Sequence, residues 1–204
     1  TNGYVAYAVC GPSRAGFITA RYPQRFGFER NPQYQPHDPD MGLTRDEKTI
    51  AELLSPVGYH SGIIGKWHLG AHIPTSHPMK RGFDEFYGHL GGGHTYFPEN
   101  LVIKDSYFTG DEVMIPSEDN PKKKYKGTAE MASYRTWIMR NNEAVKTEQY
   151  LTDEFSKEAV HFIERNKDEP FFLFLSYNAP HGPLQASQKY LDRFNHIENQ
   201  KRKT

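Results

Sequence analysis

Apolar residues in this chain fall into short runs set apart by long stretches rich in proline, glycine and charge. Two spacings recur. Phe155, Ala159, Phe162 and Ile163 follow one another at helical intervals behind Thr152, which predicts an amphipathic helix capped by that threonine. Phe171–Leu175 is an unbroken apolar run and predicts a strand buried on both faces. Upstream, Ile50, Leu53 and Leu54 again fall at helical spacing. Thr44-Arg45-Asp46-Glu47 has the capping-box pattern and is predicted to open that helix, which ends near Gly58. Tyr59–Ile64 predicts a strand. Tyr4–Val9 is apolar and β-prone and predicts another, followed by a helix that Pro12 starts and that runs to about Thr19. Ser187 is placed to cap a last helix through Tyr190, Leu191 and Phe194. Tyr22–Asp40 reads as an ordered loop, and Gly91–Lys126 as loops with a short hairpin. There are no internal repeats. Helix followed by strand, twice over, predicts an α/β layered fold with a mainly parallel sheet.

Composition narrows the function classes. The chain has 204 residues, enough for one good core. With 36% hydrophobic and 25% charged residues it is neither disordered nor membrane-spanning. No apolar run approaches the roughly 20 residues that a bilayer helix needs. Twenty-five Lys and Arg balance 25 Asp and Glu, so no global basic field exists to draw in nucleic acid, and Lys122–Lys124 reads as a solvated loop. An anionic substrate therefore needs a local cluster of positive charge. The single cysteine excludes an internal disulfide framework.

Three short segments carry candidate chemistry. The first is Cys10-Gly11-Pro12-Ser13-Arg14. Residues four apart on a helix share a face, and a helix start favours an anion. The second is Gly65-Lys66-Trp67-His68-Leu69-Gly70, where Lys66 and His68 point the same way on an extended strand end and Trp67 points to the packed side. The third is Ala179-Pro180-His181-Gly182-Pro183, which follows a buried strand at the end where open α/β sheets place ligands. The ordinary alternatives are a buried thiol, a surface arginine and structural histidines.

Taken in this order, the three segments resemble the signatures of type I sulfatases, and the resemblance covers nearly the whole chain, least so over residues 92–148. It implies an alkaline-phosphatase-like α/β/α sandwich with a mainly parallel central sheet, incomplete in this chain, and places residues 1–204 within the N-terminal catalytic domain of a longer protein. It implies a sulfuric ester hydrolase whose Cys10 is oxidised to formylglycine by a formylglycine-generating enzyme or an anaerobic maturase. The hydrated aldehyde offers one hydroxyl to attack sulfur and a second to release sulfate. By the same resemblance Arg14 anchors the formylglycine, Lys66 sets a cation against the sulfate oxygens, His68 contacts the formylglycine hydroxyl, and His181 protonates the leaving group. Ala20 stands where the family has glycine.

The resemblance also implies a calcium ion held by hard oxygen ligands. Of these, only position 10 is present. Asp38, Asp40, Asp84 and Asp153 stand in other motif contexts, and the remaining ligands are expected outside this sequence, so the isolated chain is expected to have little or no activity. The expected substrate is a sulfated carbohydrate, galactose- or N-acetylgalactosamine-like, with no nucleic-acid or membrane partner. The expected address is periplasmic or secreted. Two other readings stay open: a phosphate or phosphonate ester hydrolase of the same superfamily, and an inactive remnant that binds glycan. His94 and Tyr96 are placed either to line a substrate pocket or to sit in an ordinary flexible loop. His37, His60, His72, His77, His89, His161 and His196 read as mostly structural or exposed.

Overall fold

The computed structural model describes residues 2–98, 113–116, 124–127 and 137–199. Most of the expected loop over Gly91–Lys126, and Lys122 and Lys123 of the basic run, lie outside the described residues. The short hairpin expected there corresponds to β3 (Val113–Pro116) paired antiparallel with β4 (Lys124–Gly127).

The main sheet has five strands in the order β6-β5-β2-β1-β7. Its centre is β1 (His60–Lys66), parallel on one side to β2 (Glu85–His89) and on the other to β7 (Phe171–Ser176). The far edge is an antiparallel hairpin, β5 (Ile138–Arg140) and β6 (Glu143–Val145). The hairpin turns through Asn141-Asn142, with Asn141 at φ 55°, a conformation that asparagine tolerates better than most residues.

Each face of the sheet is covered, so the molecule is layered α/β/α. Ile63 of β1 joins one core cluster with Ala15 and Ile18 of α1 (Cys10–Thr19), Ala51 of α2 (Ile50–Leu54), Trp67 and Phe86. Its neighbour Ile64 joins the opposite cluster with Tyr87, Ile138 and the apolar stripe Leu151, Phe155, Ala159 and Phe162 of α4 (Leu151–Asn166). Two short helices complete the set, α3 (Ile73–Ser76) and α5 (Gln188–Leu191). No helix among the described residues is long and apolar enough to cross a membrane.

Several local expectations are corrected. Tyr4–Val9 forms no strand, and Tyr4 and Val5 are exposed; a β-prone run stays extended when it has no ladder partner and no face to bury. The Thr44 capping box does not open α2. Thr44 Oγ1 meets only the N–H of Asp46, at 3.5 Å, while Glu47 pairs with Arg21. The next Thr-x-x-Glu does the capping: Thr49 Oγ1 accepts from the Glu52 N–H and the Glu52 carboxylate accepts from the Thr49 N–H. Tyr150, not Thr152, precedes α4, without a side-chain cap; Asp153 and Glu154 in the first turn complement the helix dipole instead. Ser187 holds the N-cap position of α5 with no side-chain hydrogen bond. β7 touches both core clusters but stays half-buried, because it is the edge strand of the described sheet.

Packing between layers is tight where glycine allows it. A Cβ on Gly62 would lie 2.4 Å from the Phe162 ring, so α4 sits directly on the backbone of β1. At the end of β1, Gly65 has φ +114° and its Cβ would meet the Ser176 carbonyl oxygen at 1.8 Å; a Cβ on Gly88 would meet the Gly65 carbonyl oxygen at 1.8 Å. Three strand ends thus touch backbone to backbone.

Two stability outcomes follow. Gly62→Ala should lower unfolding free energy by about 1–3 kcal/mol through overpacking against Phe162, measured by chemical denaturation. His77 is buried, with its ring edge-on to Phe86 at 5.1 Å, and burial pushes it down to about 4. The unfolded chain binds this proton near pH 6.5, so stability is full above that pH and falls as pH drops toward 4, by about 3 kcal/mol in all. Thermal melts of the wild type and His77→Gln across pH 7 to 4 should show the shallower pH slope in the variant.

Candidate active site

The C-terminal ends of β1, β2 and β7 meet the N-terminus of α1, and the residues singled out in the sequence gather there. α1 begins at Cys10 itself, two residues before Pro12: the Val9 carbonyl accepts from Ser13 N–H at 3.0 Å, and Pro12 lies in the first turn, where its missing N–H costs nothing. Gly11 N–H donates to Asn31 Oδ1 at 2.7 Å, which fastens the 22–40 loop to this helix start. Cys10 is half-buried and free.

One turn along α1, Arg14 reaches into the end of β1. Its Nε donates to the Trp67 carbonyl at 2.7 Å and a terminal nitrogen donates to the Lys66 carbonyl. Its guanidinium also lies 5.4 Å from the Phe174 ring centre on β7. Burial lowers Arg14 to about 10, opposed by Cys10; it stays charged at any physiological pH. Lys66 is buried, and Cys10 is the neighbour that favours its charged form. Desolvation lowers it to about 8, with Cys10 opposing and Arg14 assisting.

β1 ends at Lys66, and His68 adopts a left-handed φ of 55°. Lys66 and His68 therefore share an environment through a turn rather than along an extended strand, which corrects the sequence expectation. A non-glycine residue in this conformation carries strain that its surroundings must hold. The holding contacts are backbone bonds to the strand next door, Trp67 N–H to His89 O at 2.9 Å and His68 N–H to Leu90 O at 3.2 Å. Burial pushes His68 down to about 3, helped by Lys66, Arg14 and His181. It is a neutral imidazole, able to accept a proton. Trp67 is fully buried as expected, its Nε1 donating to Ser76 O at 2.8 Å.

His181 follows β7 and is half-buried, with Nδ1–H donating to Gly182 O at 2.8 Å. Its carbonyl accepts from the Tyr96 hydroxyl at 2.8 Å, and Tyr96 N–H donates to Gln185 Oε1 at 2.9 Å. The loop carrying His181 is thus pinned to the segment that follows β2. All five sequence candidates come together: Cys10 and Lys66 act on one another, Arg14 grips the Lys66–Trp67 backbone, and His68 feels Lys66, Arg14 and His181.

Asn178 and two histidines complete the wall, among them His94, for which the sequence left pocket lining and ordinary loop both open. Asn178 Nδ2 donates to His94 O at 2.9 Å. His94 is buried with its ring 5.2 Å from that of His89. His89 is fully buried, and neither of its ring nitrogens has a partner among the described residues. An orphaned buried polar group costs about 1–3 kcal/mol. No single-sequence pattern marks His89, because a histidine closing a short strand has no spacing of its own.

No cluster of three His, Cys, Asp or Glu side chains that could hold a metal ion occurs among the described residues. The residues present therefore do not by themselves fit a calcium site. What the geometry offers is an anion site: the buried Lys66, the half-buried Arg14 and a neutral histidine around Cys10, with a second histidine at the rim.

Comparison with known proteins agrees with this arrangement. A family model described as Sulfatase matches residues 1–204. Human N-acetylgalactosamine-6-sulfatase is 36% identical over 201 residues, covering 93% of this chain and 34% of its own length. An arylsulfatase of Hemicentrotus pulcherrimus is 34% identical over 93% of the chain and 32% of its own length. Among solved structures, that of Ps i-CgsB superposes with a TM-score of 0.78 at 42% identity, covering 98% of this chain and 41% of that one. A second structure of the same protein, in complex with k-i-k-neocarrahexaose, gives 0.76 at 40% identity over the same shares. The chain spans about a third of the length of the curated relatives it matches. From its three motifs, its layered fold and the match along its entire length, the chain belongs to the sulfatase family.

Proposed function

We propose that the protein to which this chain belongs hydrolyses sulfate esters of a sulfated carbohydrate, galactose- or N-acetylgalactosamine-like, and that residues 1–204 form part of its N-terminal catalytic domain. The observation that carries this reading is the convergence of Cys10, Arg14, Lys66, His68 and His181 at one end of the sheet. The substrate class is supported by similarity to human N-acetylgalactosamine-6-sulfatase and to the structure holding k-i-k-neocarrahexaose.

Converted to formylglycine by a formylglycine-generating enzyme or anaerobic maturase, position 10 supplies a hydrated aldehyde as nucleophile. The chain's other residues have assignable tasks. Arg14, fixed by two backbone carbonyls, holds the helix start in place and lends it positive charge. Lys66 faces the sulfate oxygens, where a buried cation is worth far more than in water. His68, neutral by burial, accepts a proton from the hydroxyl at position 10. His181, at the rim, is placed to protonate the departing sugar oxygen. Calcium would belong to the parent's site, with position 10 as one of its ligands. Export to the periplasm or beyond is part of this proposal.

Two measurements test the reading on the parent protein. Trypsin cuts after Arg14, and the mass of the peptide across Cys10, taken from the native source, should correspond to aldehyde in place of thiol; an unmodified thiol removes the nucleophile and favours a binding role. His181→Gln should lower kcat for a sugar sulfate by roughly 100-fold, as expected for loss of a general acid, but far less for an aryl sulfate with an acidic phenol. Equal losses on both substrates would count against the general-acid role. Matched phosphate and phosphonate esters should turn over more slowly than the sulfate.

A further inference from the structure

His89 combines three properties that its strand position does not require. It closes β2 in direct register with Lys66 across the parallel pair, and residues paired in this way project to the same face of the sheet. It is fully buried, yet both ring nitrogens lack a hydrogen-bond partner among the described residues. The groups acting on it are the cations Lys66 and Arg14 and the histidines His94 and His68. A phenylalanine would fill the same space without burying unsatisfied polar atoms, so the imidazole is retained at a cost to stability.

The donor arithmetic of Lys66 supplies a use for it. An ammonium has three N–H donors, whereas a neutral imidazole offers one lone pair and one N–H. One Lys66 donor is assigned to position 10, the neighbour that favours the charged ammonium. On the sulfate-ester reading, on which this inference rests, a second goes to the anion. We propose that His89 is a positioning residue for Lys66, its ring lone pair receiving the third donor and so completing a tripod that aims the ammonium at the sulfate group. Catalytic hydrogen bonds are often long in the empty site and tighten only when the reacting group is bound. His94, 5.2 Å away ring to ring, packs against the imidazole.

The test uses the full-length, formylglycine-bearing parent protein and its variants His89→Phe and His89→Gln. His89→Phe should keep or raise the melting temperature and keep the formylglycine content at position 10. It should raise KM for the sulfate ester and Ki for inorganic sulfate together, each roughly tenfold, the loss of one hydrogen bond to a charged group. His89→Gln, whose amide oxygen can accept from Lys66, should recover most of both. Unchanged KM and Ki in His89→Phe would overturn the proposal. So would a fall in melting temperature with losses that glutamine does not restore, which would make the ring a packing element. A wild-type parent that releases no sulfate would fail earlier, at the reading of the reaction itself, before any His89 variant is compared.

Discussion

The Arg14 guanidinium is the joint on which the site depends. Its donors are spent on the Lys66 and Trp67 carbonyls, and its face lies against Phe174. One side chain therefore ties α1 to the end of β1 and to β7. No carboxylate neutralises it; the groups acting on it are burial and Cys10. The chain as a whole carries no net charge, yet two cations meet the helix start, Arg14 half-buried and Lys66 buried. The attraction for an anion is thus local, built by desolvating charges that the composition spreads evenly.

Much of the fold was legible because the core uses simple periodicities. The α4 stripe, the Phe171–Leu175 run and the strand beginning near Tyr59 all appear in the structure within a residue or two. What misled was competition between equivalent local signals. Thr44-x-x-Glu47 and Thr49-x-x-Glu52 both spell a capping box, and the choice between them is made by Arg21, which takes Glu47, and by Arg81, whose carbonyl accepts from Thr49. Both partners are more than 20 residues away, beyond any local window. Tyr4–Val9 has the composition of a strand but no ladder partner. The β5–β6 hairpin escaped because its strands have three residues each, too few to show an alternation.

At the site, motif order placed Cys10, Arg14, Lys66, His68 and His181, and the geometry gathers them. The supporting groups were not legible. Asn31, His89 and Asn178 act through single contacts made by the tertiary fold: a carboxamide on a helix start, a buried ring beside a lysine, an amide on a loop carbonyl. Nothing in the local sequence distinguishes such residues from ordinary loop and strand-end polar side chains. The same holds for the left-handed backbone of His68, which the neighbouring strand imposes through hydrogen bonds to His89 and Leu90.

The nested strand ends at Gly88, Gly65 and Ser176 have a mechanical consequence. Side chains can yield by rotating, but here peptide groups bear on one another with no side chain between them. No side chain fits between these paired strands beneath Lys66, so their spacing there is set by backbone pairing. Above these strand ends, the segment from Gly91 to Tyr96 and the loop bearing His181 are joined to each other by the Tyr96 and Asn178 hydrogen bonds. The height of the Lys66 backbone is thereby set by peptide groups alone, independently of the side chains that line the opening.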